Sequence, residues 1–166
     1  MARRVFAPLI AGLLGATPAA AQSLVMAFSG SPTSADPHYH TFSPNIALDS
    51  HSYNSLVDMD PRSRPIASLA DSWKLVAPDT WEFKLHRGVK FHNGDDFTAE
   101  DVVYNLARVP TVLNSPGSFA IYTKSVVASE IVDAHTIRLK TNGLYPLLPI
   151  DLAQILIIPK RLGQIR

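Results

Sequence analysis

The chain has 166 residues, of which 46% are hydrophobic and 17% charged, a composition typical of a globular protein with a core. The formal net charge is +1 and no basic cluster stands out, so nucleic acid is not expected as a partner. The sequence contains no cysteine, which excludes disulfide bonds, cysteine-ligated zinc and thiol chemistry.

Residues 1–21 have the features of a secretory signal peptide. Arg3 and Arg4 form a positive n-region, and the apolar run from Val5 to Ala16 is too short to span a membrane. The small residues from Ala19 to Ala21 fit a cleavage site, so we expect the mature chain to begin at Gln22. Because the chain has no cysteine to carry a lipid anchor, we expect a soluble periplasmic protein of a Gram-negative cell, neither a lipoprotein nor membrane-spanning.

The start of the mature chain predicts a strand, a loop and a helix. Leu24 to Phe28 is a short apolar run, and Ser29 to Pro37 is rich in turn-forming residues. Ser43 is a suitable helix cap, and Pro44 suits the first helical turn. We expect this helix to end at Pro61, with an apolar side formed by Ile46, Tyr53, Leu56 and Val57.

Two antiparallel hairpins are predicted further along the chain. The first joins Lys74–Val76 to Trp81–Leu85, where large apolar residues alternate with polar ones. The second joins Val126–Val132 to Thr136–Lys140. Near the end of the sequence, the apolar run from Ile155 to Ile158 predicts a last buried strand.

The stretch from Gly88 to Arg108 is the most specific part of the sequence. Its first residues predict the end of a strand, and Asn93-Gly94 predicts a tight turn because both residues tolerate positive φ. Thr98 can cap the helix that follows. Asp101 stands three residues later, where its carboxylate can accept a hydrogen bond from the Thr98 amide.

Four segments in this order resemble the N-terminal part of the family 5 extracellular solute-binding proteins, the peptide- and nickel-binding receptors of ABC importers. The segments are Ser34 to His38, Tyr53 to Val57, Pro65 to Trp73 and Gly88 to Arg108. They resemble the family's Ser-x-Asp-Pro start, its Tyr-Glu-x-Leu helix, its Pro-x-Leu-Ala-x-Ser-Trp segment and its Gly-Val-Lys-Phe-His-Asp-Gly motif. The signal peptide and the order of the matches make the resemblance specific.

The resemblance implies a mixed α/β fold of the periplasmic binding protein type II kind, in which two lobes close around a ligand and an extra domain is inserted near the N terminus. Residues 22–61 would then be the start of lobe one, with its first strand and helix. Residues 62–166 would be most of the inserted extra domain. Family members are several-fold longer, so the remainder of lobe one and all of lobe two would be absent.

The resemblance also places two loops beside the ligand. In the first, the backbone groups of Gly30, Ser31, Pro32 and Thr33 could pair with an extended peptide, although an ordinary turn is the alternative. In the second, which runs from Asn114 to Phe119, Phe119 is the candidate for contact with a peptide side chain, although a position in the core is the alternative. The small-molecule ligand is expected to be a peptide, and the partners to be ABC permease subunits.

The histidines suggest a different ligand. His38 and His40 lie in a loop, so both rings could turn toward one metal ion, since imidazole binds nickel, copper and zinc. A complete site would also need carboxylates such as Asp36 or Asp49. We therefore expect neither a metal nor a cofactor, and keep a nickel-complex receptor that uses the two histidines as an alternative.

Catalytic signals are weak. A carboxylate cluster is formed by Asp95, Asp96, Glu100 and Asp101 and could do acid–base chemistry. A role in capping the helix accounts for Asp101 and Glu100, so a structural interpretation is simpler. The sequence has no Gly-x-Ser-x-Gly elbow, no His-Glu-x-x-His motif and no phosphate-binding glycine loop.

We therefore expect no enzyme, and a periplasmic solute-binding component of an ABC importer for peptides or a related solute. The alternatives are a truncated fragment of such a receptor that does not bind, the nickel-complex receptor, and a secreted hydrolase or metal enzyme.

Overall fold

The computed structural model describes Val25, Ala27 and residues 29–164. The predicted signal peptide lies outside these residues, as does most of the predicted strand from Leu24 to Phe28. No helix in the described part of the chain is both long enough and apolar enough to cross a membrane.

The first elements are helix α1 (Ser43–Asp49) and the short antiparallel strands β1 (Val57–Met59) and β2 (Pro65–Ala67). Pro44 lies in the first turn of α1, as predicted, but the capping position belongs to Phe42 and not to Ser43.

The predicted end of α1 at Pro61 is wrong, because the helix stops at Asp49. Ser50 follows as the cap residue, and its hydroxyl donates to the carbonyl of Ala47 at 3.0 Å. Serine and histidine favour turns over helix interiors, and two serines flank His51 here. Leu56 is therefore buried beside strand β1, and not on a helix face.

The next elements are strands β3 (Ala70–Ala77) and β4 (Thr80–Leu85), helix α2 (Ala99–Arg108) and the short helix α3 (Ala120–Thr123). Strands β5 (Val126–Asp133) and β6 (Thr136–Thr141) follow, and helix α4 (Leu148–Leu152) comes last. Single 3-10 turns cover Val109–Thr111 and Lys160–Gln164.

Both predicted hairpins are confirmed, and together they form one antiparallel sheet in the order β3-β4-β6-β5. One face of this sheet holds the core. Phe83 lies opposite Ile137 and Trp81 opposite Leu139. The core also takes in the apolar side of α2, Phe97 and α4.

The other face of the sheet is charged, and its centre is Glu82. Strand alternation predicts a polar residue here, but Glu82 is 7% exposed because cationic side chains cover it. Arg138 donates to its carboxylate at 3.0 Å, and the amines of Lys84 and Lys74 lie 3.7 and 3.9 Å away. The hydrogen bond from Arg138, followed by the charges of Lys84, Arg138 and Lys74, lowers the pKa of Glu82.

The stretch from Gly88 to Arg108 has the predicted turn and capped helix. Gly94 has a φ of +87°, and the Thr98 amide donates to the Asp101 carboxylate at 2.9 Å. The predicted strand end is wrong: only an isolated bridge joins Lys90 to Asp96. The helix runs to Arg108, where the 3-10 turn containing Pro110 takes over.

The segment from Ile155 to Ile158 is mostly buried, as predicted, but it does not form a regular strand. The side chain of Asn105 takes the place of a neighbouring strand. Its amide accepts from the backbone N–H of Ile158 at 3.1 Å and donates to the carbonyl of Ile158 at 2.7 Å. Helix α2 thereby holds this segment against the start of the chain.

Candidate functional site

The first predicted ligand loop begins at Gly30 and is fixed at its end by a buried side chain. Asn45, which is 1% exposed, accepts a hydrogen bond from the Thr33 backbone N–H at 2.8 Å. Its amide donates to the Thr33 hydroxyl at 3.2 Å. The backbone donor of Thr33 is therefore already used within the protein, while Ser31 is exposed. Gly30 and Pro32 are partly buried.

The chain beyond this loop is held by an ion pair between Asp36 and Arg108. The guanidinium donates to the two carboxylate oxygens at 3.0 and 2.6 Å, which is the bidentate geometry of a strong pair. Burial alone would raise the pKa of Asp36, but the hydrogen bonds from Arg108 and from the His38 backbone outweigh it and lower that pKa.

His38 completes the same network and is fully buried. Arg108 donates to its Nδ1 at 2.8 Å, and its Nε2 lies 2.7 Å from the carbonyl of Leu156. Since an arginine only donates, Nδ1 must accept, and the proton must sit on Nε2. Burial is the largest cause that lowers the pKa of His38, and the charge of Arg108 acts in the same direction.

This geometry bears on the predicted metal ligands. Both ring nitrogens of His38 are engaged in hydrogen bonds within the protein, while the His40 ring stacks on Phe42 with centroids 5.4 Å apart. Asp36, proposed as a further ligand, is paired with Arg108. Among the described residues, no group of three or more histidine, aspartate or glutamate side chains is placed to hold a metal ion.

The second predicted ligand loop packs against residues 39–41. The Thr41 amide donates to the carbonyl of Gly117 at 2.9 Å, and the Ser115 hydroxyl donates to the carbonyl of Tyr39. A Cβ atom at Gly117 would lie 2.8 Å from the Thr41 hydroxyl, so a larger residue there would force a neighbouring side chain or the loop to shift. The structure therefore holds the second predicted loop against residues 39–41, just before α1.

Phe119 is 3% exposed and packs with Val109 and Ile155. This position agrees with the alternative that it belongs to the core. It also forms part of the wall of a cleft of about 270 Å³ between α1, β1 and the segment after α4. Its contact with a solute stays a prediction.

The four carboxylates of the cluster form a helix cap and ion pairs within the protein. Asp101 caps α2, and Lys90 lies 2.5 Å from Asp96. Lys160 is paired with Glu100, and Arg161 lies 3.3 Å from Asp95. Helix capping is therefore confirmed for Asp101, whereas Glu100, Asp95 and Asp96 are paired with cationic side chains, which the sequence interpretation did not include.

The residues that sequence reasoning missed are Asn45, Arg108 and Asn105. Arginine in the last turn of a helix is common because it complements the helix dipole, so Arg108 carried no signal of a distant partner. A buried asparagine on a helix is unusual and needs hydrogen-bond partners, but the sequence does not reveal that Asn45 and Asn105 are buried.

Comparison with known proteins gives the family. The model described as "Bacterial extracellular solute-binding proteins, family 5 Middle" matches residues 64–163. The di/tripeptide-binding protein 3 of Pseudomonas aeruginosa is 31% identical over an alignment of 155 positions, and the alignment covers 81% of this chain and 29% of that protein. The glutathione-binding protein GsiB of Pectobacterium atrosepticum is 31% identical over 136 residues, 81% of this chain and 26% of that protein.

The fold agrees with these matches. The oligopeptide-binding protein AppA from Bacillus subtilis, solved in complex with a nonapeptide, aligns with a TM-score of 0.67 and 26% identity. The alignment covers 78% of this chain and 26% of that one, and it confirms the predicted mixed α/β fold of a periplasmic binding protein. The relatives named are binding proteins and not enzymes. The chain spans less than a third of the length of these relatives. The match to the family model shows that the chain belongs to the bacterial extracellular solute-binding proteins of family 5.

Proposed function

We propose that this chain belongs to a periplasmic receptor that captures peptides or a related solute and delivers them to the permease of an ABC importer. The match to the family model over residues 64–163 carries the proposal. A signal peptide at residues 1–21 would direct the chain to the periplasm. Binding without chemical conversion is the proposed activity, so the protein is not an enzyme.

The loop from Gly30 to Thr33 supports a main-chain mode of recognition. Ser31 is exposed, while Asn45 fixes the end of the loop through Thr33. An extended peptide can pair with such a backbone, and a loop that is already ordered loses little entropy on binding. In the two-lobed receptor, contacts made only in the closed form would shift the population toward closure and so toward docking on the permease.

Calorimetry of the mature chain with a mixed set of di- to pentapeptides tests the proposal. We expect saturable heat, and a weaker response for Ser31→Pro, which removes a backbone donor. Ser31→Ala is the matched control because it keeps the backbone N–H. Heat from a nickel–histidine complex but from no peptide would favour the nickel-complex receptor in place of the peptide receptor.

A second candidate function, a receptor fragment that does not bind a solute, follows from the share of its relatives' length that the chain covers. The chain spans 29% of the length of the Pseudomonas di/tripeptide-binding protein, and part of a two-lobed receptor need not bind on its own. This candidate predicts no heat from any peptide. A cooperative thermal transition in the same sample would show that the chain is folded, and would assign the missing heat to missing parts of the site.

A further inference from the structure

Strand β5 forms one edge of the four-stranded sheet and is open to pairing. The sheet order ends at β5, and every residue of the strand from Val127 to Asp133 is exposed. The strand contains neither lysine nor proline, the residues with which natural proteins commonly block an edge. The opposite edge, β3, carries Lys74 near its middle. A further strand can therefore add to the sheet at β5.

The free edge of β5 presents the backbone groups of Ser129 and Ile131. In β6, the Thr141 N–H donates to the carbonyl of Asp79 at 2.7 Å and so points toward β4. Because these groups alternate in direction along a strand, the β6 residues opposite Ser129 and Ile131 also point toward β4. Ser129 and Ile131 must then direct their own N–H and C=O groups away from β6, where the structure describes no neighbouring strand.

The hydrophobic core is incompletely covered at this edge. A groove of about 300 Å³ lies between α2 and β5, and its lining includes Val103 and Leu106 of α2 and Val127 of β5. Ile131 lies opposite the buried Ile137 and so is on the core face of the sheet. Val127 is 58% exposed and Ile131 is 44% exposed. A strand added to β5 would cover both side chains and extend the core.

Strand β5 is complementary to a second copy of itself in one register. When two copies pair antiparallel about Ser129, Ile131 of each copy lies opposite Val127 of the other, so the exposed apolar side chains cover each other. Pairing about Glu130 would instead place two like charges opposite each other, which is unfavourable. The charge of Glu130 therefore selects the register about Ser129.

The charged face of the sheet is complementary in the same register. Glu130 of each copy lies opposite Ala128 of the other, and Ala128 lies beside Lys140 of β6. Since alanine is short, the Lys140 side chain can extend across it toward Glu130 of the other copy. The two-fold symmetry forms this contact twice, and oppositely charged groups on two copies favour their association.

We propose that two copies of this chain associate through β5, paired antiparallel about Ser129, to form one continuous eight-stranded sheet. A two-fold axis normal to the sheet keeps both α2 helices on one side, so that the two grooves join. Irregularities at both ends of β5 limit the pairing to its middle, so the dimer is weak and depends on concentration. The inference goes beyond the proposed receptor function, because it involves neither a solute nor a permease.

Sedimentation equilibrium of the mature chain over a wide concentration range tests the association. We expect the average mass to rise from that of one chain toward that of two. Ile131→Lys should raise the dissociation constant of the dimer at least about tenfold, because it removes an apolar contact twice and places a lysine on the edge. Val76→Lys on the other edge strand is the matched control, since Val76 is 42% exposed, and it should leave association unchanged.

Disulfide trapping tests the register, because the sequence has no cysteine of its own. Ser129→Cys places two thiols opposite each other across the axis, at the Cα separation of about 5.5 Å that suits a disulfide. On oxidation with copper–phenanthroline, we expect a covalent dimer on a non-reducing gel. Ser72→Cys, at an exposed serine of β3, is the control and should form little dimer.

The proposal is wrong if the unaltered chain keeps the mass of one copy at every concentration, or forms open-ended aggregates in place of a dimer. Equal trapping of Ser129→Cys and Ser72→Cys, or equal effects of Ile131→Lys and Val76→Lys, would also contradict it. Sedimentation uses the unaltered chain, so it decides the question even when a variant fails to fold. Peptide calorimetry reports on solute capture alone, which keeps failure of the receptor function separate from failure of the dimer.

Discussion

Arg108 at the end of α2 and Asp36 in the first loop form a bidentate ion pair although they are 72 residues apart in sequence. Each belongs to one of the segments that resemble the family, Ser34 to His38 and Gly88 to Arg108. The aspartate-proline segment that resembles the family therefore serves the fold in this chain. It joins the start of the chain to the helix that follows the sheet's first hairpin.

Removal of this pair should be costly for stability. The Arg108 and Asp36 side chains are 23% and 33% exposed, so screening by water is incomplete. Arg108→Ala should lower the free energy of unfolding by about 2 kcal/mol, because Asp36 loses its ion pair and the Nδ1 atom of His38 loses its donor. Asp36→Asn should lower the free energy of unfolding by less. Urea unfolding of the two single variants and of the double variant should give a coupling energy of about 1 kcal/mol.

The matched control for this pair is Arg64→Ala. Arg64 lies 2.6 Å from Asp60, but its side chain is 66% exposed. Its removal should have a smaller effect than Arg108→Ala, since exposed pairs contribute little. Equal losses for the two arginines would contradict a structural role for the Arg108 pair.

His38 should make stability depend on pH. Its pKa in the folded protein lies below the ordinary 6.5, with burial as the main cause, so the unfolded chain binds the proton more readily. The contribution of neutral His38 to the free energy of unfolding is fully present above pH 6.5 and is lost as the pH drops toward the folded-state pKa. Urea unfolding between about pH 7.5 and about pH 5 should show this slope.

In His38→Gln, whose amide can still donate and accept, the loss of stability on acidification should disappear, so that only the opposite slope from Asp49 remains below about pH 6. His51→Gln removes an exposed histidine and should keep the pH dependence of the wild-type chain. An unchanged slope in His38→Gln would mean that another group carries the pH dependence.

The predicted elements that the structure confirms are those determined by residues close together in the sequence. The two hairpins follow from alternation, and the cap of α2 follows from the spacing of Thr98 and Asp101. The end of α1 was mispredicted because apolar spacing continued past Asp49 while weak helix formers broke the helix. Helix periodicity alone cannot weigh those two effects.

The contacts that organise the candidate site could not be predicted, because each one joins distant segments. Asn105 bonds Ile158 across 53 residues, and Ser115 bonds Tyr39 across 76. Short polar side chains of these types are common in loops and at helix ends, so the sequence gives no reason to select them. The solute contacts of Gly30 to Thr33 and Phe119 stay predictions.

Asp49 should destabilise the folded chain at neutral pH. Its side chain belongs to a residue that is 4% exposed, and burial together with the charge of Asp36 raises its pKa from 3.8 to about 6. The folded protein therefore binds this proton more tightly than the unfolded chain, and stability falls as the pH rises from 3.8 through about 6. A carboxylate at the C-terminal end of α1 also opposes the helix dipole.

Asp49→Asn should therefore raise the free energy of unfolding by about 1–3 kcal/mol at about pH 7.5. The gain should vanish by about pH 3, well below the unfolded-state pKa, where the carboxyl group is largely neutral in both states. Urea unfolding at the two pH values measures it, with Glu130→Gln as the exposed control. A gain of the same size at both pH values would assign the effect to packing and not to charge.

Gly117 should tolerate even a methyl side chain poorly, although it lies in a loop. A Cβ atom there would lie 2.8 Å from the Thr41 hydroxyl and 3.0 Å from the His40 ring, so the loop would have to move away from residues 39–41. Gly117→Ala should cost about 1–3 kcal/mol in urea unfolding, the usual range for overpacking. It should also increase amide exchange at Thr41, whose N–H donates to the Gly117 carbonyl.

Gly30→Ala is the control for this substitution, because a Cβ at Gly30 would lie 3.4 Å from the Phe42 ring. That ring sits at the end of a side chain that can shift by a few tenths of an ångström, so the cost should be smaller. Thr41→Ala removes one of the two close atoms, and combined with Gly117→Ala it should recover part of the loss through a favourable coupling energy. Additive effects of these two changes would show that the loop contact does not depend on the closeness of Gly117 to Thr41.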